Sequence, residues 1–180
     1  MNAPDFPDRR RPAHHPPVER FNEPVLVLVT VCTKDRRGVL ACAEVHGLCR
    51  DAWRAAGSWQ VGRYVIMPDH IHLFCFPGRL PVPGLRPWVE FWKSRVAVAW
   101  ARLPDLGGSA SARTGSGQGP DAAPRRGKLW QRDFWDTQIR SRDHYAEKAG
   151  YVRMNPVRQG LVEAAEQWPY QGEVIPFVWR

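Results

Sequence analysis

The chain has 180 residues, of which 43% are hydrophobic, so it is long enough for one domain with a full core and too apolar for a disordered protein. The formal net charge of +8 at pH 7 comes mostly from arginine, because lysine occupies only positions 34, 93, 128 and 148. Arginine binds phosphates through two parallel hydrogen bonds and stacks on bases. The composition therefore favours a polyanionic partner, nucleic acid first, with a generally basic soluble protein as the alternative.

Residues 1–17 are rich in proline and arginine and lack a periodic apolar pattern, which predicts a disordered basic tail in which His14 and His15 are inert. This segment is not a charged-then-apolar leader, and no apolar stretch approaches the roughly 20 residues that span a bilayer. The cysteines show no zinc-ligand spacing and are expected to be buried or free thiols in a reducing compartment: Cys32, Cys42, Cys49 and Cys75. We expect a cytoplasmic protein without a membrane partner.

A strand, a helix and a hairpin are predicted in the first half of the chain. The β-branched run Val25–Thr33 is typical of a central strand, and the apolar spacing over residues 39–56 indicates a helix. Residues 59–67 and 69–76 are two strand-like runs separated by a tight turn at Pro68. Such closely joined runs predict an antiparallel hairpin.

The next part of the chain predicts a helix, an insertion and one more strand. Pro87 suits the first turn of a helix that runs to about residue 103, with Lys93 among its exposed basic groups. Residues 104–127 consist mainly of glycine, serine, alanine and proline, which predicts a flexible insertion within one domain. Residues 130–139 then return to strand character.

The last predicted element is a helix that Ser141 or Asp143 caps and that continues to about Met154, where Pro156 ends it. The resulting order is strand, helix, strand, strand, helix, strand, helix. This order matches the split β-α-β arrangement of ferredoxin-like folds. We therefore expect an α+β fold with an antiparallel sheet and helices packed on one face, formed by one domain over residues 18–180.

The string Pro68-Asp69-His70-Ile71-His72-Leu73 places two imidazoles one residue apart in a predicted strand. Side chains at positions i and i+2 of a strand leave the same face. His70 and His72 are therefore predicted to point together into one site, while Ile71 and Leu73 point into the core. Two such nitrogens suit one divalent metal ion, and the alternative is a pair of hydrogen-bonded structural histidines.

A stripe of chemically capable side chains is predicted along one face of the last helix, at spacings i, i+4, i+7 and i+11: His144, Lys148, Tyr151 and Asn155. Tyr145 falls on another, apolar face. A half-buried tyrosine on an amphipathic helix is common, so Tyr151 alone is a weak indication of function. That indication is strengthened by the string that begins with it, Tyr151-Val152-Arg153-Met154-Asn155-Pro156-Val157-Arg158-Gln159-Gly160-Leu161-Val162.

Further short motifs are spread over about residues 20–172. They are Cys32–Arg37, Tyr64–Leu73, Lys93–Ser94, Trp130–Gln131, Phe134–Asp136, His144–Tyr145, Asn155–Val157 and Gln167–Tyr170. In these motifs and in their order, the chain resembles the REP-associated tyrosine transposases, relatives of the small single-tyrosine insertion-sequence transposases within the HUH endonucleases. Agreement of several motifs at once is a strong indication. Thr137-Gln138 departs from the family, in which a histidine or another bulky residue is expected.

The resemblance implies a ferredoxin-like, or RRM-like, sheet of the HUH endonuclease fold whose central strand presents the two histidines. By position, it implies that His70 and His72 bind Mg²⁺ or Mn²⁺, with Asn155 as a third ligand. It also implies that Tyr151 attacks a DNA phosphodiester. Lys148 is the nearest cation in sequence that would favour the phenolate, and a solvated surface lysine is the alternative.

The activity that the resemblance implies is nicking and rejoining of single-stranded DNA at repetitive palindromic hairpins, through a 5′-phosphotyrosine and a free 3′-hydroxyl. Single-stranded DNA and DNA hairpins would then be the partners, the location would be nucleoid-associated, and a monomer is favoured over a dimer. Two other functions stay open. One is a catalytically weak hairpin-binding regulator, which would form no covalent adduct. The other is a metal-dependent phosphoesterase with a histidine nucleophile, which would remain active in Tyr151→Phe.

Overall fold

The computed structural model of the protein describes residues 14, 16–18, 25–104 and 127–177, and one antiparallel sheet organises them. The strands are β1 (Leu26–Cys32), β2 (Trp59–Ile66), β3 (His70–Pro77), β4 (Trp135–Ile139) and β5 (Gln171–Glu173). Their order in the sheet is β4-β1-β3-β2-β5. The helices are α1 (Ala43–Ala55), α2 (Leu85–Trp100), α3 (Arg142–Arg153) and α4 (Asn155–Arg158). The predicted α+β class and antiparallel sheet are confirmed.

The middle strand of the sheet is β3, the strand that carries the two histidines. His72 pairs with Thr30 of β1 on one side and with Val65 of β2 on the other. Ile71 and Leu73 are fully buried in the main core, as predicted. Because side chains alternate along a strand, His70 and His72 emerge on the opposite face.

The main core lies between the sheet and helices α1 and α2. Trp92 of α2 is fully buried at its centre, and its ring meets those of Trp53, Trp88 and Trp130 edge-on at 5.9, 6.2 and 5.9 Å between centroids. Edge-to-face contacts of this kind stabilise aromatic clusters beyond the area that they bury. The aromatic cluster fixes the two helices on this face of the sheet.

A second, smaller core lies on the face of the sheet that carries the histidines. Leu26, Val65 and Phe74 project there, and Ala149 and Val152 of α3 pack on them. The prediction that the helices pack on one face therefore holds for α1 and α2 but is wrong for α3. The sheet has apolar side chains on both faces, and the second face needs its own cover.

Lys93 is buried, with 6% of its surface exposed, so the prediction that it is an exposed basic group of α2 is wrong. Its Nζ donates hydrogen bonds to the carbonyls of Gln131 and Arg132 at 2.9 and 3.3 Å. The indole nitrogen of Trp130 in turn donates a hydrogen bond to the Lys93 carbonyl at 2.9 Å. This anchor interrupts the strand predicted over residues 130–139, where Trp130 forms only an isolated bridge and β4 begins later.

Most of the predicted tail, and residues 105–126 of the predicted insertion, lie outside the described residues. His14 is an exception. Its ring stacks on Phe134 at 4.1 Å, and its two nitrogens lie 2.5 and 2.6 Å from carboxylate oxygens of Asp136 and Asp133. The prediction of disorder is therefore wrong for His14 itself, which is hydrogen-bonded beside β4, while its lack of a functional role stays a prediction. Within the described residues, no helix combines the length and the apolar character needed to cross a membrane.

The anchor at Lys93 predicts a measurable loss of stability. Lys93→Ala leaves two carbonyls without their donor, so the free energy of unfolding should fall by about 1–3 kcal/mol. Arg95→Ala, on the exposed side of the same helix, should change it by less than about 0.5 kcal/mol. Urea unfolding of both variants measures this difference. Equal effects of the two substitutions would contradict the anchoring role.

Candidate active site

The two histidines of β3 lie side by side beneath α3. The centroids of the His70 and His72 rings are 4.7 Å apart, and the two residues are only 2% and 4% exposed. The predicted common face is therefore confirmed. Two imidazoles buried at this distance can reach one ligand together.

Each imidazole is held through its Nδ1 atom. His70 Nδ1 lies 2.6 Å from Asp69 Oδ1, and Nε of Arg36 in turn binds the same carboxylate at 2.8 Å. His72 Nδ1 lies 2.8 Å from the hydroxyl of Thr30 on the neighbouring strand. Carboxylate and hydroxyl partners of this kind fix the orientation and tautomer of a ligand histidine. Nε2 is then the ring atom that either histidine can offer to a metal.

Burial and neighbouring charges set the protonation of this pair. Burial, assisted by the charges of His70 and Arg158, lowers the pKa of His72 well below its ordinary value, so this ring is neutral at neutral pH. Burial acts to raise the pKa of Asp69. The hydrogen bond and charge of His70 and the charge of Arg36 outweigh that effect and lower it. A neutral imidazole is the form that binds a metal.

Asn155 completes the buried polar group at this site. It is 5% exposed, and its Nδ2 lies 3.2 Å from His70 Nε2. Rotation of the amide by half a turn presents Oδ1 at the same place, so either atom of the amide can face a ligand. The predicted end of the helix before Pro156 is correct for α3, but the chain continues as α4. Proline is tolerated there because it occupies the first turn.

The donor set fits a divalent cation that accepts both nitrogen and oxygen ligands. In the part of the chain that the structure describes, no three His, Cys, Asp or Glu side chains are grouped so that they could hold a metal. A cation here would therefore take two imidazole nitrogens and the amide oxygen of Asn155, with water or substrate oxygens around the rest. Mg²⁺ prefers oxygen ligands throughout, whereas Mn²⁺ accepts imidazole more readily.

Tyr151 is the tyrosine that faces the histidine pair. Its ring meets that of His72 edge-on at 6.2 Å, and it is 40% exposed. Tyr145 packs edge-on against Phe74 instead, at 5.0 Å. Tyr64 is buried in the main core. A partly exposed phenol beside two anchored imidazoles can act on a ligand that the imidazoles hold.

The cation that contacts Tyr151 is one that the sequence did not reveal. Lys148 forms an ion pair with Glu147 at 3.0 Å. Arg158 of α4 instead lies over the Tyr151 ring, with its Cζ 3.9 Å from the ring centroid. Arg158 is seven residues after Tyr151, which is two helical turns. A helical pattern continued past Pro156 would have found it.

Comparison with known proteins gives similarity in both sequence and fold. A REP-associated tyrosine transposase of Escherichia coli K12 is 36% identical over 42 residues, 23% of this chain and 26% of that protein. A Haemophilus influenzae protein, whose name assigns it provisionally to the same group, is 36% identical over 62 residues, 31% of this chain and 35% of that protein. The alignments thus span about a third or less of either relative. No family model matches the chain.

The structural comparison extends over most of the chain. A solved REP-associated tyrosine transposase bound to a REP hairpin superimposes with a TM-score of 0.62 over 88% of this chain and 82% of that one, at 17% identity. At that identity the likeness establishes the fold. The predicted fold is confirmed, since it is that of the solved transposase, and so is the resemblance of this chain to the REP-associated tyrosine transposases.

Proposed function

We propose that this protein is a metal-dependent single-stranded DNA endonuclease and strand transferase that nicks DNA at palindromic hairpins through a 5′-phosphotyrosine on Tyr151. The observation that carries the proposal is the contact between the Tyr151 ring and His72, at 6.2 Å, beside a second buried histidine. A nucleophile adjacent to a pair of candidate metal ligands is the arrangement that phosphoryl transfer requires.

In this mechanism His70, His72 and Asn155 would hold Mg²⁺ or Mn²⁺, and Tyr151 would be the nucleophile. The bound cation would draw charge from a non-bridging oxygen of the scissile phosphate. Asp69 and Thr30 act through the histidines, since they hold the two rings by their Nδ1 atoms and leave the Nε2 atoms to face the metal. Lys148 stays a candidate for favouring the phenolate when it leaves its ion pair with Glu147.

The covalent step exchanges one ester bond for another. The phenolic oxygen of Tyr151 forms a bond to phosphorus, and the bond from phosphorus to the 3′-oxygen breaks. The phenolic proton is lost to solvent, and the departing 3′-oxygen takes up a proton. The 5′-phosphate stays on the enzyme as a phosphotyrosine, so the reverse attack by a 3′-hydroxyl rejoins DNA without ATP.

Several properties support single-stranded DNA and DNA hairpins as partners. The net charge of +8 suits a polyanion, and the solved transposase of the same fold is bound to a REP hairpin. The histidines are almost completely buried, so a phosphodiester must enter a confined site, which a flexible single strand does more readily than a duplex. The resemblance to the REP-associated tyrosine transposases favours a monomer, and DNA as the substrate favours a cytoplasmic, nucleoid-associated location.

The proposal predicts that Tyr151→Phe abolishes covalent adduct formation with a labelled single-stranded hairpin in the presence of Mn²⁺. The substitution removes only the hydroxyl, so the thermal midpoint should change little while the nucleophile is lost. Denaturing electrophoresis detects the adduct as a shifted labelled band. Tyr145→Phe on the same helix should form the adduct at the wild-type level. An undiminished band in Tyr151→Phe would exclude Tyr151 as the nucleophile.

A second prediction concerns the metal. Replacing His70 and His72 together with alanine should eliminate Mn²⁺ binding in titration calorimetry, because both nitrogen ligands are removed. Circular dichroism should show that the double variant is still folded. His46→Ala is the control, because His46 is hydrogen-bonded to Tyr64 in the main core at 2.8 Å. Unchanged Mn²⁺ binding in a folded double variant would place the metal elsewhere.

A further inference from the structure

Arg158 reaches Tyr151 because the chain stays helical across the junction between α3 and α4. The backbone nitrogen of Met154 donates to Gly150 at 3.0 Å, and that of Arg158 donates to Met154 at 3.0 Å. Met154 itself has αR dihedral angles, with φ −82° and ψ 0°. Residues seven apart in a continuous helical path lie on the same side.

Arg158 binds Tyr151 in two ways at once. Its Nη2 donates a hydrogen bond to the Tyr151 carbonyl at 2.8 Å, and its guanidinium lies over the ring with Cζ 3.9 Å from the centroid. A guanidinium over an aromatic face is attracted by the ring electrons, and the carbonyl bond keeps it from sliding away. The same ring meets His72 edge-on at 6.2 Å. The phenol is thus held between a cation on its face and an imidazole near its edge.

This arrangement constrains a side chain that would otherwise rotate. Tyr151 is 40% exposed on the last turn of α3, and an exposed tyrosine ring samples several rotamers on a nanosecond timescale. A nucleophile reacts fast only when it is already aligned with the phosphorus atom. A guanidinium that holds the Tyr151 ring in place would therefore increase the rate of attack on phosphorus. An ion pair elsewhere on the surface would not.

We propose that Arg158 is a positioning residue that holds the Tyr151 ring in its reactive orientation towards the site of His70 and His72, an inference that rests on the proposed function of Tyr151 as the nucleophile. Arg158 acts through the ring and does not itself bond to phosphorus. Lysine would supply a charge over the ring but not the planar fork that also binds the carbonyl. The Arg158→Lys variant should therefore keep part of the positioning of the Tyr151 ring, and the Arg158→Gln variant should keep none.

The first test needs no DNA. In protein with ¹³C-labelled tyrosine rings, Arg158→Gln should shift the Tyr151 ring resonances and leave those of Tyr145 in place. Arg153→Gln is the matched control. It removes the same charge from the end of α3, where Arg153 pairs with Glu166 instead of Tyr151. Unmoved Tyr151 resonances in Arg158→Gln would overturn the inference.

The second test measures single-turnover adduct formation with a labelled hairpin and Mn²⁺, together with hairpin affinity. Arg158→Gln should slow adduct formation roughly 10- to 100-fold, with Arg158→Lys in between. Its hairpin Kd should change by no more than about five-fold, as should that of Arg153→Gln, since each variant loses one exposed charge. An unchanged rate in Arg158→Gln, or a rate loss matched by an equal loss of affinity, would overturn the inference.

The two tests separate this inference from the proposed function. Shifted Tyr151 resonances, with no adduct in the wild-type protein, would confirm that Arg158 holds the ring and refute Tyr151 as the nucleophile. An adduct on Tyr151 whose rate does not depend on Arg158 would support the proposed function and refute the positioning role.

Discussion

The two-residue period of the central strand is the constraint on which the site depends. Ile71 and Leu73 are fully buried in the main core, and a shift of β3 by one residue would expel both from it. Because the core fixes this register, the histidines between them must face the other side. Hydrogen-bonded neighbours on both edges, β1 and β2, keep the strand from twisting away. Core packing and the strand hydrogen bonds thus orient the site together.

The other residues of the candidate site come from the helices that cover the second face of the sheet. Apolar side chains beside the histidines require a cover, and α3 provides it through Ala149 and Val152. Packing α3 there brings Tyr151 to His72, and the short α4 that follows brings Asn155 to His70. Arg158, at the end of α4, lies over the ring of Tyr151. One packing contact thus brings the proposed nucleophile, the proposed amide ligand and the proposed positioning arginine to the same place.

The sequence predicted the structure correctly where a local pattern, such as the two-residue alternation of a strand, determines it. Alternation along β3 predicted the faces of His70 and Ile71, and Ser141 accepts a hydrogen bond from the His144 nitrogen, as expected of a helix cap. The motifs also predicted the fold, which the structural comparison confirmed. These features are local, or they recur in a fixed order along the chain.

What the sequence did not reveal depends on contacts between distant segments. From its sequence position Lys93 is expected at the surface, but the carbonyls of residues 131 and 132 accept hydrogen bonds from it in the folded protein. His14 belongs to a segment without a sequence pattern, but two carboxylates near β4 bind it. Arg158 was missed for a local reason, because proline is normally taken as the end of a helix although it is compatible with the first turn of the next one.

Peptide mapping of a trapped covalent complex tests the central claim most directly. Trypsin cleaves after Lys148 and Arg153, so Tyr151 falls in the peptide 149–153 and Tyr145 in the separate peptide 143–148. After reaction with a single-stranded hairpin and Mn²⁺, nuclease trimming and digestion, mass spectrometry should find the nucleotide attached through its 5′-phosphate to peptide 149–153. A nucleotide on any other peptide, or an attachment through a 3′-phosphate, would contradict the account.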